Sequence, residues 1–211
     1  MINHDNIKNF KPTYSAERPT LPAGIYKGEV INAKVDELGQ VPTLLIQVDI
    51  IEGDYAHYYR NLYESQRQNR QYSVRYKGVY RIQLPDGKDE QHDNWRKHQL
   101  EGAVWALENS NPGYKWDWDE GKLKGLKIGL NIRDRDYYYN GKSGTTTEIG
   151  RLESVLMMND PDETKRPKLM KKRELSNRDK QKMAEDEARK SAPTPGPGYV
   201  EVGDDDELPF D

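Results

Sequence analysis

The chain contains no cysteine in its 211 residues. That excludes disulfides and every thiolate metal site, and it suits a reducing cytosol. No apolar run approaches membrane-spanning length and Met1 to Tyr14 is polar, so neither a signal peptide nor a membrane partner is expected. Phenylalanine is nearly absent, with 2 residues against 14 Tyr and 4 Trp. Phe would fill a core equally well, so the Tyr excess points to rings used at a wet surface. Hydrophobic residues make up only 34%, and charged ones 33%, so part of the chain is expected to stay unpacked. Enzymatic patterns are missing as well: there is no P-loop, no GxGxxG and no Ser/His/Asp arrangement. His92 and His98 are six apart, which misses the one-turn spacing of a helical metal pair. Asp49, Glu52, Asp54 and His57 could be drawn as a nuclease metal site, but these acids straddle a Gly turn, where acids are common anyway. The expectation is a protein without catalysis, metal or cofactor.

The net charge of −3 conceals a strong asymmetry. Residues 1–160 are nearly balanced, with 22 basic and 23 acidic side chains. Residues 161–190 carry 11 basic against 7 acidic, whereas 191–211 carry 6 acidic and no basic ones. Opposed charge blocks at one end of a chain read as interaction segments. The organisation expected is an irregular lead over 1–22, a folded domain over 23–158, a basic and partly helical segment over 159–190, and a linker with an acidic tip over 191–211. The linker contains APTPGPG (Ala192 to Gly198), and this tail composition cannot bury enough surface to order itself.

Within the domain, hydrophobic periodicity predicts a strand from Gly24 to Glu37, with Ile25, Ile31, Ala33 and Val35 on one parity and a bend or bulge at Gly28. A second runs from Thr43 to Ile51 and resumes past Gly53 as extended chain through Tyr55 to Tyr63. Gln66 to Gln71 reads as a loop. Tyr72 to Leu84 reads as the third strand, stopped by Pro85-Asp86-Gly87. A helix capped by Asp93 follows to Asn109, its stripe formed by Leu100, Ala103, Val104 and Leu107. Leu126, Ile128, Leu130 and Ile132 mark a fourth strand, Asn140-Gly141 a hairpin turn, and Thr145 to Met157 the fifth strand. A polar helix is placed at about Glu174 to Lys190. Three strands, a helix and two strands is the order of the OB-fold, so the fold class expected is mostly β: an OB-like five-stranded Greek-key barrel with one helix between strands three and four, plus a disordered C-terminal tail.

Two stretches could bind a polyanion that also exposes aromatic faces. Between Arg60 and Arg81 stand Arg60, Arg67, Arg70, Arg75, Lys77 and Arg81 against the one acid Glu64, interleaved with Tyr63, Tyr72, Tyr76 and Tyr80 and preceded by Tyr58. The hairpin between the fourth and fifth strands adds Arg133, Arg135, Tyr137, Tyr138, Tyr139 and Lys142, with Asp134 and Asp136 opposing. Single-stranded DNA presents a phosphate at every nucleotide and a flat face on every base, so a sequence-tolerant binder needs cations and rings together. Neutralising about five to seven phosphates would make log K fall with log salt at a slope of roughly −3.5 to −5. Against this, same-parity tyrosines alternating with charge are also what any half-buried strand shows, with the rings inward. The tryptophans are assigned to packing: Trp105 near the buried side of its helix, Trp116 and Trp118 capping the barrel.

The chain ends on Asp204, Asp205, Asp206, Glu207, Leu208, Pro209 and Phe210, followed by Asp211. Charge would steer such a tip toward a basic surface and Leu208 and Phe210 would fill an apolar pocket. It resembles the acidic C-terminal tip of bacterial and phage single-stranded DNA-binding proteins, which close on the Phe itself. Further stretches, LPAGIYKGEV (Leu21 to Val30), VDIIEGDYAHYY (Val48 to Tyr59), LENSNPGYKWD (Leu107 to Asp117) and LKGLKIG (Leu123 to Gly129), look like a family of phage-encoded single-stranded DNA-binding or replication-module proteins. The resemblance implies a replication or recombination protein in the cytoplasm of a bacterial host. Its partners would be single-stranded DNA and, through the tip, replication or recombination proteins; homo-oligomerisation stays open. The basic segment Lys165 to Lys182 either extends the DNA path or pairs with the acidic tip until DNA displaces it. The alternative is a protein-interaction module, a recombination mediator or nuclease inhibitor, without DNA binding of its own.

Overall fold

The structure is a computed structural model, and it describes residues 20–68 and 73–191. Five strands form one antiparallel sheet: β1 (Gly24–Asp36), β2 (Thr43–Ile50), β3 (Val79–Gln83), β4 (Lys127–Tyr139) and β5 (Lys142–Glu153), in the spatial order β3-β2-β1-β4-β5. Helix α1 (Tyr58–Gln68) lies between β2 and β3, and the long helix α2 (Glu90–Ser110) between β3 and β4. Strand order and the position of α2 are those of an OB-like fold. A short α3 (Val155–Met158) follows β5, and α4 (Asn177–Ser191) comes last. The described residues divide into two compact units, one of residues up to Arg135 together with Thr145–Arg173, the other of Asp136–Gly144 with the chain from Glu174 onward.

β1 serves two partners, one along each part of its length. Gly24 to Glu29 pairs with Ile132 to Lys127 on β4, while Gly28 to Asp36 pairs with Ile50 to Thr43 on β2. Gly28 sits in both ladders, where a Cβ would stand 2.7 Å from Leu130 Cδ1 and 2.8 Å from the Asp49 carbonyl oxygen. The register slips between Val30 and Asn32, so Ile31 is a bulge. That slip shifts the inward parity: Gly28 and Val30 are buried before it, Ala33 after it, and Ile25 and Ile31 are not. The single parity expected for β1 is therefore replaced by two. The core is aliphatic, with Val30, Ile46, Val48, Ile50, Ile82, Ile128, Leu130 and Ile132 wholly buried.

The segment Tyr55 to Tyr63 is not extended. It turns at Gly53 (φ +81°) and His57 (φ +61°) and enters α1. Asp49, buried on β2, directs the turn: its Oδ1 accepts from the backbone N–H of Ile50 and of Tyr59, both at 3.0 Å. The second of these satisfies a donor at the start of α1 that would otherwise lack a partner. Tyr55, Tyr58, Tyr59, Leu62 and Tyr63 fall at i, i+3, i+4, i+7 and i+8, which is a helical stripe. The third strand is also shorter than Tyr72 to Leu84. Residues 73–78 are irregular and only Val79–Gln83 pairs with β2. Gly78 marks the change, since a Cβ there would lie 2.5 Å from the Val48 carbonyl oxygen and 2.6 Å from Tyr59 Cγ.

Helix α2 starts earlier than expected. Asp89 is its cap, accepting from His92 N–H at 3.0 Å, and Asp93 lies inside the first turn. There Asp93 is buried with Arg96, whose Nη1 donates to it at 2.8 Å and to Asp86 at 2.9 Å. Asn140 (φ +49°) and Gly141 (φ +73°) form the hairpin turn, both in the left-handed region that a type I′ turn requires. β5 ends at Glu153, not Met157.

Candidate nucleic-acid interface

β3 and β5 stand at the two ends of the sheet order, and residues of both line a cleft of about 830 Å³. β3 contributes Val79, Tyr80, Arg81 and Gln83, with Lys77 just before it; β5 contributes Thr146 to Gly150. Arg133 and Arg135 from β4 and Arg173 complete the basic lining. Five cations therefore face this cleft against one carboxylate, Glu148. Glu148 is shared by three guanidiniums: Arg133 at 2.9 Å, Arg135 at 3.4 Å and Arg173 at 3.5 Å. One negative charge cannot neutralise three, so the cluster keeps a positive surplus with its donor forks already oriented. Arg135 Nε is buried and has no acceptor among the described residues.

Arg173 reaches the cleft because the basic segment is held on the body. Asn131, wholly buried on β4, donates through Nδ2 to the Lys168 carbonyl at 2.9 Å and accepts at Oδ1 from Met170 N–H at 3.2 Å. Arg173 N–H donates to the Asp134 carbonyl at 2.8 Å, and Arg135 and Arg173 form a parallel bridge. Gly150 leaves room for this strap, as a Cβ there would meet Met170 Sδ at 2.8 Å.

The structure sorts the sequence candidates. Tyr58, Lys77, Arg81, Arg133 and Arg135 line the cleft. Arg60 stands 3.8 Å from Asp49, and Arg67 and Arg75 are exposed. Tyr63 and Tyr76 pack on one another with centroids 5.8 Å apart, and the Tyr76 hydroxyl donates to the Val48 carbonyl at 3.0 Å. Burial, then the Asp49 carboxylate, pushes the Tyr76 hydroxyl pKa up, while Arg60 opposes. Burial is also the main cause of the raised pKa of Tyr80, which is almost wholly covered. The rings of this stretch thus serve packing more than a ligand. In the other unit, Tyr137 and Tyr139 are exposed, at 37% and 71%, Lys142 is exposed, and Tyr138 donates to Asp186 on α4 at 2.9 Å. Arg70, Tyr72 and the tip Asp204 to Phe210 lie outside the described residues.

Two tryptophans depart from expectation. Trp105 is 51% exposed and Trp118 67%, so neither belongs to the core; Trp116 packs against it and touches Trp118 with centroids 4.9 Å apart. Trp95, also half exposed, lines the arginine cleft together with Gln99. Gln99 and Trp95 are cleft residues that sequence reasoning passed over, whereas Arg173 belongs to the Lys165 to Lys182 segment for which a DNA path was one of two expectations. A Trp at a solvent-facing helix position was the available signal. Among the described residues no group of His, Cys, Asp and Glu is placed to hold a metal ion.

No family model matches the chain, and no curated protein does. Among solved structures it is similar to one described as yeast RPA bound to ssDNA, at 10% identity over 89% of this chain and 94% of that one, with a TM-score of 0.22. So weak a likeness decides neither fold nor function.

Proposed function

We propose that the protein binds single-stranded DNA along the cleft between β3 and β5, non-enzymatically and without sequence preference. The observation that carries this reading is the charge of that cleft: five cations, three of them guanidiniums fixed around one carboxylate, in a trough of about 830 Å³. Planar guanidiniums suit phosphate oxygens, and a trough admits a single strand where a duplex would need a broad flat surface. The finer reading rests on the sequence: a phage replication or recombination protein, acting in a bacterial cytoplasm, whose Asp204 to Phe210 tip recruits partner proteins.

The test is anisotropy of a labelled oligo-dT of about 20 nucleotides titrated at several salt concentrations. Five phosphate contacts give a slope of roughly −3.5 in log K against log salt. Arg81→Ala and Arg173→Ala should each reduce that slope by about 0.7. Glu148→Gln should tighten binding at low salt, because it frees three guanidiniums at once. Failure of the wild-type chain to bind at low salt would exclude this function, and an unchanged slope in both Arg variants would exclude this cleft.

A further inference from the structure

A second cleft of about 790 Å³ adjoins the first, with Tyr80, Trp95, Gln99 and Gly150 common to both linings. Its α2 wall is unusual. Trp95, Gln99 and Gly102 occupy one row at i, i+4 and i+7, and His98 and Trp105 the adjoining row at i and i+7. Two half-exposed indoles on the lining of a cavity are large apolar faces left in water, at 53% and 51% exposure. Gly102 adds a second, independent feature. A glycine inside a helix costs about 1 kcal/mol relative to Ala, yet a Cβ at Gly102 would meet nothing within 4 Å. No neighbour among the described residues requires that glycine, so its effect is to keep the α2 wall low between the two indoles. The facing rim is basic: Arg151, Lys165, Arg166 and Lys168 line the cleft against the one carboxylate Glu153. Glu153 is itself engaged by Arg151 at 2.6 Å and by Asn131 at 2.8 Å. Arg166 and Lys165 have carboxylate neighbours, Glu163 at 3.2 Å and Asp162 at 3.6 Å; Lys168 is exposed.

We propose that this cleft is a base-stacking site, in which bases of the strand held in the arginine cleft pass over Trp95 and stack on the indoles of Trp95 and Trp105 while the rim cations follow the phosphates. The inference rests on the single-strand reading above and supplies stacking rings that reading otherwise lacks, since Tyr58, Tyr63 and Tyr76 are occupied with neighbouring tyrosines and Tyr80 is almost wholly covered. A helical partner protein would also seek apolar surface, but four cations around the indoles favour a polyanion with flat faces.

The decisive comparison uses oligo-dT and a fully abasic strand of the same length, about 20 nucleotides. The wild-type chain should prefer oligo-dT by roughly 5-fold to 150-fold, the range expected for stacking one base. Trp105→Ala should erase much of that preference and leave abasic binding unchanged, Trp95→Ala should erase much of it as well, and the Phe variants should restore part of it. Gly102→Leu puts a side chain on the cleft lining from a position where an added Cβ meets nothing within 4 Å among the described residues, so it should act like the Trp→Ala variants with no fall in thermal midpoint. If oligo-dT binding and preference are wild-type in both Trp→Ala variants and in Gly102→Leu, the stacking site is wrong while the arginine cleft stands. If the wild-type chain binds neither strand, the parent function fails and this site with it.

Discussion

The tyrosines of α1 and its neighbours and the tryptophans of α2 are both rows of aromatic rings on one small domain, and they do opposite things. Tyr26, Tyr55, Tyr58, Tyr59, Tyr76 and Tyr63 form an unbroken chain of ring contacts with centroids 5.4–6.4 Å apart, mostly edge to face. Tyr59 at its centre is 6% exposed. Such pairs add about 0.5–1.5 kcal/mol each beyond the area they bury. Trp95 and Trp105 have half their surface in water and face a basic cleft. The lesson is that density of aromatics along the chain does not mark a ligand site. Rings close in sequence find each other and become structure; a solitary ring on a polar helix has no such use.

The largest expected effect tests the packed half of that contrast. Tyr59→Ala removes the central ring and should lower stability by about 3–5 kcal/mol, read as a drop in the urea midpoint with an unchanged slope. Gly78→Ala approaches the same ring from the backbone side. Its Cβ would press on Tyr59 and on the Val48 carbonyl, and a loss of about 1–3 kcal/mol is expected from such overpacking. A Gly78→Ala protein as stable as wild type would mean that the ring chain is loose enough to yield, and the contrast with α2 would weaken.

Much of the fold was legible in advance because it depends on local signals. Leu126 to Ile132 alternates strictly, Asn140-Gly141 can hardly be anything but a type I′ turn, and the α2 pattern survives despite a misplaced cap. Helix α1 was missed for a physical reason. Tyr favours strands, and a Tyr-rich segment next to a strand satisfies that preference until a buried Asp49 ten residues back supplies the helix with its first acceptor. The bulge at Ile31 was invisible because it exists only in the register of β1 against β2, which neither segment carries alone. The site was half legible. Lys77, Arg81, Arg133 and Arg135 stood out by charge, but that they share one cleft with Arg173 follows from the sheet order and from Asn131 holding the strap. Neither is written in any single segment.

Raising the pH sharpens the comparison through the hydroxyls. Burial is the first cause that lifts the Tyr59 and Tyr76 pKa values above the usual value, with Tyr58 and Asp49 adding for Tyr59 and Asp49 for Tyr76. A tyrosine raised in the folded state contributes its stability in full below the unfolded pKa, about 10. That contribution is lost as pH climbs from there toward the folded value. The urea midpoint should therefore hold to about pH 10 and decline above it. Tyr76→Phe removes one such group, so its decline should be shallower. At neutral pH the same variant gives up the hydrogen bond to the Val48 carbonyl, a loss of about 0.5–1.5 kcal/mol.

The smallest effect is the most telling. Trp105 is the larger ring, and counting ring size alone would make Trp105→Ala worse than Tyr59→Ala. The structure predicts otherwise: no ring packs against it among the described residues, half its surface is already in solvent, and Ala has the higher helix propensity. The change should cost no more than about 1 kcal/mol, measured by the same urea titration. A loss approaching that of Tyr59→Ala would make Trp105 part of the packing, and Trp95 alone of the two exposed α2 indoles would be left for a ligand. A near-neutral result, set beside a large loss at Tyr59, would separate aromatics that hold this domain together from aromatics that it keeps available.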